Sequence, residues 1–453
     1  MKHLKTIFLL LLAAVAFTFA ACRNNGNDLG SAQQTQNEQA PALPAPGQTD
    51  PVAPEGAEPV ELTIALWHLT TQPEFQNSLD AWVAMNPHVS FNIIDTTTAA
   101  FPEQITTQIA GGTPIDLMFV VNRPFQATLA EAGQLMDLTD HINSWGRAAE
   151  YGTALEMNRV GDRYFSAPWR QDFWPLFYNK DIFAEAGEPL PYNLTWQEYH
   201  DLAVRLTSGS GLDKVYGTHL HTWNSIIQAM SAAQLGEHMF QTDYSWLTHM
   251  YEIRTSLQNL GAMMDIGTIR AANVGYRPRF EDGHAAMIVM GSWYIGELAE
   301  RATFNWGIAP VPQMPNSPTP GQVRTMGNVT PIAIPVTARH PEEALRFVEW
   351  ISGEEGALIL ADLGIPSAFM NDNVMDRFFA MPGMPLDDLS RRAFSPDIVV
   401  AEWPLSPLTG AVDQILSEEN ELIMVGANSI EDGIRNMNER VSRVLAEHGY
   451  GDN

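Results

Sequence analysis

The chain has 453 residues, of which 45% are hydrophobic and twelve are tryptophan, so it has the material for a large core. Its 53 acidic residues outnumber its 25 basic residues and give a formal net charge of −28. Nucleic acid is therefore excluded as a partner, because such binding needs basic patches. The single cysteine excludes an intrachain disulfide.

The chain begins with the features of a secretory signal. Two lysines precede an uncharged apolar run over residues 7–19, which is shorter than the roughly 20 residues that a membrane-spanning helix needs. Two alanines and Cys22 follow, and this arrangement resembles the lipobox of bacterial lipoproteins, although Phe19 replaces the usual leucine. The resemblance implies a signal peptide over residues 1–21 and a lipid on Cys22. The alternative is an ordinary signal peptide that leaves a free thiol.

Residues 22–59 form a second distinct segment, rich in Gln, Asn, Pro, Ala and Gly and almost free of large apolar residues. Such a composition cannot bury enough apolar surface to fold, so it predicts a flexible tether. The rest of the chain, about 390 residues, exceeds one ordinary domain and predicts two.

Strands and helices alternate in the first part of the folded region. Apolar runs predict strands over residues 62–67, 89–95 and 115–121. Apolar residues at helical spacing predict helices between and after them, over 73–85, 101–110 and 124–132. This alternation favours an α/β layer with a parallel sheet. Ligands bind beyond the carboxyl ends of such strands, where Trp67 with His68 and Asn122 with Arg123 lie.

The later part of the chain is richer in helices. A capping box at Thr195 and Glu198 predicts the start of one helix. We then expect a helix-rich stretch over residues 225–265, a proline-rich extended connection over 307–320 and an edge strand over 330–336. A helix should begin with the proline at 341, and the last part, 408–447, should again be helical.

Motifs of catalysis and cofactor binding are missing from the sequence. It contains no G-x-S-x-G elbow, no P-loop, no H-E-x-x-H and no C-x-x-C. His219 and His221 could share one face of a strand, which leaves packing and a metal pair as the two interpretations. We therefore expect a protein that is not an enzyme and that holds no cofactor or metal.

Tryptophan is the most informative residue type for a binding site here. The tryptophans beside polar residues or turn formers are Trp169, Trp174, Trp223, Trp293 and Trp403. A tryptophan face can stack on a pyranose ring while polar neighbours bond the hydroxyls, and core packing is the alternative for each residue. The tryptophans within helical patterns are assigned to the core, namely Trp82, Trp196, Trp246 and Trp350.

Four segments in a fixed order carry a family resemblance. They are residues 109–120 (IAGGTPIDLMFV), 174–207 (opening WPLFYNKDIFAEAGEP), 280–293 (FEDGHAAMIVMGSW) and 340–357 (HPEEALRFVEWISGEEGA). Together they resemble the family 1 extracellular solute-binding proteins of ABC importers, the carbohydrate-type group that contains maltose-binding protein. Ile115 between Pro114 and Asp116, and His284 in place of lysine, are small departures from the family pattern.

The resemblance implies a two-lobed α/β fold with a ligand cleft between lobes that close by hinge bending. Strands would cross between the lobes near Asp172 and Gln322. The first lobe would comprise residues 60–171 plus 323–368, and the second residues 172–322 plus 369–453.

The resemblance also implies which residues contact ligand. Those that match family contacts are Trp67, His68, Asn122, Arg123, Asp172, Trp223 and Trp293. Four more are proposed from their position beside the crossings or in turns, with a structural role as the alternative: Trp169, Arg170, Asn328 and Trp403.

The implied function is capture of a sugar or oligosaccharide outside the cytoplasm and its delivery to the membrane subunits of an ABC importer. The protein would be a monomer held to the cell membrane through Cys22. A binding protein for a polyamine or an oligopeptide is one alternative, and a surface-anchored carbohydrate-active enzyme is another. Arg123 and Arg170 argue against a polyamine if both face the cleft.

Overall fold

The computed structural model describes residues 58–406 and 408–449. The expected signal peptide, Cys22 and the tether up to residue 57 lie outside the described residues. Two sheets organise the described part. Their strands are β1 (Val60–Trp67), β2 (Val89–Thr96), β3 (Leu117–Phe119), β4 (Ala167–Phe173), β5 (Leu176–Asn179), β6 (His219–Leu220), β7 (Met287–Val289), β8 (Trp306–Ala309), β9 (Arg324–Ala333) and β10 (Ile398–Ala401).

Helices cover and connect the two sheets. They are α1 (Pro73–Met85), α2 (Phe101–Ala110), α3 (Arg123–Glu131), α4 (Thr139–Ser144), α5 (Ala148–Tyr151), α6 (Thr153–Asn158), α7 (Lys180–Ala186), α8 (Trp196–Leu206), α9 (Gln228–Leu235), α10 (Thr248–Asn259), α11 (Ile266–Ala271), α12 (Tyr276–Glu281), α13 (Tyr294–Arg301), α14 (Pro341–Ile351), α15 (Glu354–Asp362), α16 (Asp372–Phe379), α17 (Asp388–Ala393), α18 (Thr409–Met424) and α19 (Ile430–Glu447).

The first sheet has the strand order β10-β9-β3-β1-β2, with β4 also paired to β9. β1 runs parallel to β2 and β3, whereas β9 is antiparallel to β3 and β4. The side chains of Leu62, Ile64, Ala65 and Leu66 are all fully buried, because helices cover both faces of a parallel layer. The second sheet has the order β6-β7-β5-β8.

The pair β4 and β9 forms the junction between the sheets. Only Trp174 and Pro175 separate the end of β4 from the start of β5. Asp172 lies opposite Asn328, and Phe173 lies opposite Gly327. A Cβ atom on Gly327 would meet the Asp172 carbonyl oxygen at 2.1 Å, so this close approach of backbones requires glycine. The junction therefore holds Asp172, Trp174 and Asn328 near one another.

Most of the elements expected in the first part are confirmed. β1, β2, α1, α2 and α3 lie where the hydrophobic pattern predicts them, within a residue or two. The capping box is also confirmed, since the Thr195 hydroxyl accepts from the Glu198 N–H and the Glu198 carboxylate accepts from the Thr195 N–H. Pro341 opens α14 as expected.

Three element predictions need correction. β3 is shorter than the expected 115–121 strand, because the Asp116 carboxylate bonds the N–H groups of Thr63 and Arg339 at its start. The connection expected over 307–320 begins as strand β8, whose apolar residues pair with β5. The predicted edge strand is the end of β9, an interior strand that pairs with β3 on one side and β4 on the other.

Candidate functional site

Three tryptophans from separate segments meet beside the junction of the sheets. Trp174 follows β4, Trp223 follows β6, and Trp293 precedes α13. The ring of Trp174 stands nearly perpendicular to the other two, with centroids 6.0 Å from Trp223 and 5.3 Å from Trp293. Trp223 and Trp293 are 6.3 Å apart at 55°. The three rings therefore form a rigid apolar corner, with Trp174 buried behind the other two.

This corner is one wall of a cavity with a volume of about 320 Å³. The lining residues are Trp174, Trp223, Asn224, Ser225, Trp293, Glu402 and Trp403. Trp223 is 39% exposed, which is much apolar surface for a protein to leave in water without a use. Apolar walls with a few polar groups define a site for a small molecule.

Further aromatic rings continue the wall away from the cavity. The rings of His221 and Trp223 are 4.1 Å apart, and Tyr276 lies 5.9 Å from His221 and 6.3 Å from Trp223. Burial lowers the pKa of His221 to about 4, so the imidazole is neutral at pH 7. Arg254 is fully buried and donates to the His221 carbonyl at 2.5 Å, which fixes the turn that carries Trp223.

The polar side of the cavity is acidic. Glu402 continues the pairing of β10 with β9, because its N–H donates to the Gly327 carbonyl at 2.8 Å. Its carboxylate accepts from Asn328 Nδ2 at 2.7 Å. Burial raises the pKa of Glu402, hydrogen bonds from Ser225 and Asn328 oppose the rise, and the nearby carboxylates Asp413 and Asp172 add to it.

Asp413 of α18 is not one of the lining residues, but it contacts Asn224, which is. Asn224 Nδ2 donates to its carboxylate at 2.9 Å, which ties the turn after β6 to α18. Burial raises the pKa of Asp413, and the bond from Asn224 opposes the rise. Asp413 and Glu402 are eleven positions apart in the chain, and Asp413 lies close enough to Glu402 to raise its pKa.

Asp172 belongs to a buried ionic group at the junction. Arg170 donates to Glu74 at 3.0 Å and lies 3.6 Å from the Asp172 carboxylate. Burial raises the pKa of Asp172, while Arg170 and a hydrogen bond from Ser292 oppose the rise. Arg170 is thus engaged by two carboxylates, and its charge is neutralised within the protein.

The structure brings five of the sequence-predicted site residues together. Trp223, Trp293 and Trp403 line the cavity, and Asn328 holds the carboxylate of Glu402. Asp172 lies close enough to Glu402 to influence its ionisation. Their assignment as ligand contacts stays a prediction, and their clustering supports it.

Trp67 and Trp169 are buried in the core of this structure, which does not support their assignment to the site. Trp67 is 4% exposed and packs edge-on against Phe75 and Phe101 at 5.3 Å. Trp169 is 1% exposed, with its ring 4.5 Å from Phe119. Phe75 of α1 and Phe101 of α2 cover the strand end where Trp67 lies, so almost none of its surface is open to solvent. Arg170 likewise serves an internal ion pair.

The remaining predicted residues lie outside the tryptophan cavity. His68 has a positive φ of 52°, and its Nε2 accepts from the Thr98 N–H at 3.4 Å. Asn122 caps α3 by accepting from the Phe125 N–H, and it borders a second hollow between α2 and α3. Burial lowers the pKa of Arg123 to about 10, and its Nε has no hydrogen-bond partner among the described residues.

Sequence reasoning missed five residues of this site, one of which is Ser225 in the cavity lining. Glu402 directly precedes Trp403, and that acidic neighbour of a candidate tryptophan was a usable signal. Trp174 stood among the aromatic candidates without being carried into the site. Asn224 and Asp413 are separated by 189 positions, so no local pattern marks them as partners.

Neither a metal site nor a membrane span is found in the described part of the chain. Residues 58–406 and 408–449 contain no group of three or more His, Cys, Asp or Glu placed to hold a metal. None of the helices described there combines the length and the apolar character needed to cross a bilayer. His219 is buried, and its pKa falls to about 3 because of that burial, as expected for packing.

Comparison with known proteins identifies the family to which this chain belongs. Residues 68–358 match the model of the bacterial extracellular solute-binding protein family. A solved sugar transporter from Rhizobium etli in an open conformation is 30% identical, covering 84% of this chain and 99% of its own, with a TM-score of 0.79. The chain therefore belongs to the bacterial extracellular solute-binding protein family, and it acts outside the cytoplasm.

More distant relatives share the fold. The sugar-binding protein MalE from Xanthomonas citri is 18% identical with a TM-score of 0.70, covering 86% of this chain and 98% of its own. A maltotriose-binding protein from Pyrococcus abyssi is 22% identical over 68% of each chain. The expected two-lobed α/β fold of periplasmic binding proteins is confirmed by these structural matches.

Proposed function

We propose that the tryptophan cavity captures a sugar or oligosaccharide, which the protein delivers as a monomer to the membrane subunits of an ABC importer. The observation that carries the proposal is the apolar corner of Trp174, Trp223 and Trp293 facing Glu402. Stacking of a pyranose on Trp293 or Trp223 would leave its hydroxyls free to bond Ser225 and Glu402. The relatives from Rhizobium, Xanthomonas and Pyrococcus are a sugar transporter, a sugar-binding protein and a maltotriose-binding protein, which supports the same ligand class.

The lobe boundaries carry over as part of this proposal. With the first lobe at 60–171 plus 323–368 and the second at 172–322 plus 369–453, the cavity lining belongs to the second lobe. Asn328 then reaches that lining from the first lobe through its bond to Glu402. Because the hydrogen bond between Asn328 and Glu402 joins the two lobes, closure of the lobes around ligand would change its geometry.

A panel of mono- and oligosaccharides tests the proposal by thermal shift and calorimetry on the purified protein. A true ligand at a hundredfold excess over Kd is expected to stabilise the protein by about 2.7 kcal/mol, because it binds only the folded state. The ligand should be recovered unchanged by chromatography, since binding without turnover is part of the proposal. Failure of every sugar would contradict it, and cleavage of a bound sugar would favour the carbohydrate-active enzyme.

The membrane anchor is a separate proposal that rests on Cys22 and the signal before it. The native protein is expected to begin at a lipid-modified Cys22 and to fractionate with membranes, while Cys22→Ala should move it to the soluble extracytoplasmic fraction. Mass spectrometry of the native N-terminus makes the test. An unmodified Cys22, or a mature chain that begins elsewhere, would contradict the anchor.

A further inference from the structure

The charge of the cavity is unbalanced. Glu402 lines it, and Asp413 and Asp172 are close enough to raise the pKa of Glu402 further. The hydrogen-bond partners of Glu402 and Asp413 are the neutral side chains of Asn328, Ser225 and Asn224. Buried carboxylates are normally paired with a cation, because an isolated charge loses its hydration.

Arg170, the basic side chain beside Asp172, is already engaged. Arg170 is bound to Glu74 at 3.0 Å and reaches only Asp172, at 3.6 Å. Among the residues that the structure describes, no ion pair joins Glu402 or Asp413 to a lysine, arginine or histidine. Glu402 and Asp413 therefore have no cationic partner among the residues that the structure describes, so a cationic ligand would stabilise their ionised forms.

Two buried polar atoms beside the cavity also lack partners. Trp174 is 1% exposed, it lines the cavity, and its Nε1 has no acceptor among the described residues. Asp172 is 7% exposed, and its Oδ1 has no hydrogen-bond donor within the part of the chain that the structure describes. Buried polar groups are almost always hydrogen-bonded, so a ligand that offers both an acceptor and a donor would satisfy these two atoms.

We propose that the cavity selects an aminated sugar, whose ammonium group pairs with Glu402 while its ring lies against the tryptophans. This inference rests on the proposed function and names the substrate class. The ammonium supplies three donors and the missing positive charge. Tryptophan is the best aromatic partner for a cation, so Trp223, Trp293 and Trp403 attract the same group. A ring hydroxyl accepts from Trp174 Nε1.

A neutral sugar satisfies this cavity less completely. Its hydroxyls can donate to Glu402 and accept from Trp174, but they bring no charge. Closure around such a ligand would remove water from the acidic group and leave it without a counter-ion. An ammonium on the same ring removes that cost and forms charge-assisted hydrogen bonds, which are about twice as strong as neutral ones.

Matched sugars make the test. Glucose, galactose and mannose are each compared by calorimetry with their 2-amino and 2-acetamido forms on the purified protein at pH 7. In at least one series the amine is expected to bind on the order of 10- to 100-fold more tightly than both neutral forms, as for a hydrogen bond to a charged group. Amines that bind no more tightly than the neutral forms in every series would overturn the inference.

The variant Glu402→Gln isolates the charge, since the amide keeps the shape and an acceptor oxygen. It is expected to remove the preference for the amine, so that the amine and the neutral forms of the same sugar bind with Kd values within about threefold of each other. Glu439→Gln, which removes the same charge from an exposed position on α19, is the matched control and should leave the preference unchanged. An amine preference that survives in Glu402→Gln would overturn the assignment.

The two proposals fail in different ways. If neutral sugars bind and no amine is preferred, the aminated-sugar inference fails and sugar capture stands. If no sugar of the full panel binds, neutral or aminated, both fail together.

Discussion

Replacing Trp293 with alanine is expected to weaken sugar binding about 10- to 100-fold while leaving the melting temperature of the free protein nearly unchanged. Stacking on an aromatic platform contributes on the order of 1–3 kcal/mol, by analogy with nucleobases on tryptophan. The ring of Trp293 is half-buried and stands edge-on to Trp174 at 5.3 Å. It also folds back over Gly291, where a Cβ atom would lie 1.9 Å from the ring. The exposed part of the Trp293 ring therefore faces the cavity, where a ligand can contact it.

Trp246→Ala is the matched control for this prediction. Trp246 is also half-buried, but it packs near Tyr244 at 5.9 Å and donates to the Asp243 carbonyl, outside the cavity lining. We expect its replacement to leave the Kd unchanged. If Trp293→Ala instead unfolds the protein while the folded fraction binds normally, Trp293 is a core residue and the stacking role is wrong.

Trp169→Ala is expected to have the opposite signature, a loss of about 3–5 kcal/mol in the free energy of unfolding. Trp169 is 1% exposed, and its ring packs 4.5 Å from Phe119 and 5.4 Å from Phe75. Removing the indole leaves a large void between β4 and α1 that neighbouring aromatic rings fill poorly.

Urea unfolding followed by circular dichroism measures this loss. Trp169→Phe is the control, because it keeps an aromatic ring and is expected to lose much less. The fraction of Trp169→Ala that remains folded should bind the sugar with normal affinity. If Trp169→Ala is as stable as the unmodified protein but no longer binds sugar, Trp169 is a ligand contact and its assignment to the core is wrong.

The elements of the first sheet were predictable because their signals are local. The apolar run that forms β1 and the helical spacing of α1 and α2 each lie within a dozen residues. β9 was less predictable, since its polar first half looks unlike a buried strand. It forms because β4, β10 and β3 together satisfy its backbone.

The site was predictable only where the chain marks it locally. Trp223 and Trp293 stand beside turns that aim them into the cavity, and sequence context was enough to propose them. Trp67 also lies at a strand end, as the last residue of β1, yet Phe75 and Phe101 enclose it. Position at a strand end does not decide whether a helix covers the side chain, because that depends on tertiary packing.

The acidic side of the cavity was beyond sequence reasoning for the same reason. Glu402 meets Asn328 across 74 positions, and Asp413 meets Asn224 across 189. Neither carboxylate belongs to a motif. Their shared role appears only once β10 and α18 are placed against the junction of the sheets.

The most direct test of the central claim is a crystal structure of the protein with the tightest-binding sugar from the panel. The sugar ring is predicted to lie against Trp293 or Trp223, with a polar group of the ligand within hydrogen-bond distance of Glu402. A sugar bound at another place, such as the hollow beside Asn122, with the tryptophan cavity free of ligand, would contradict the account.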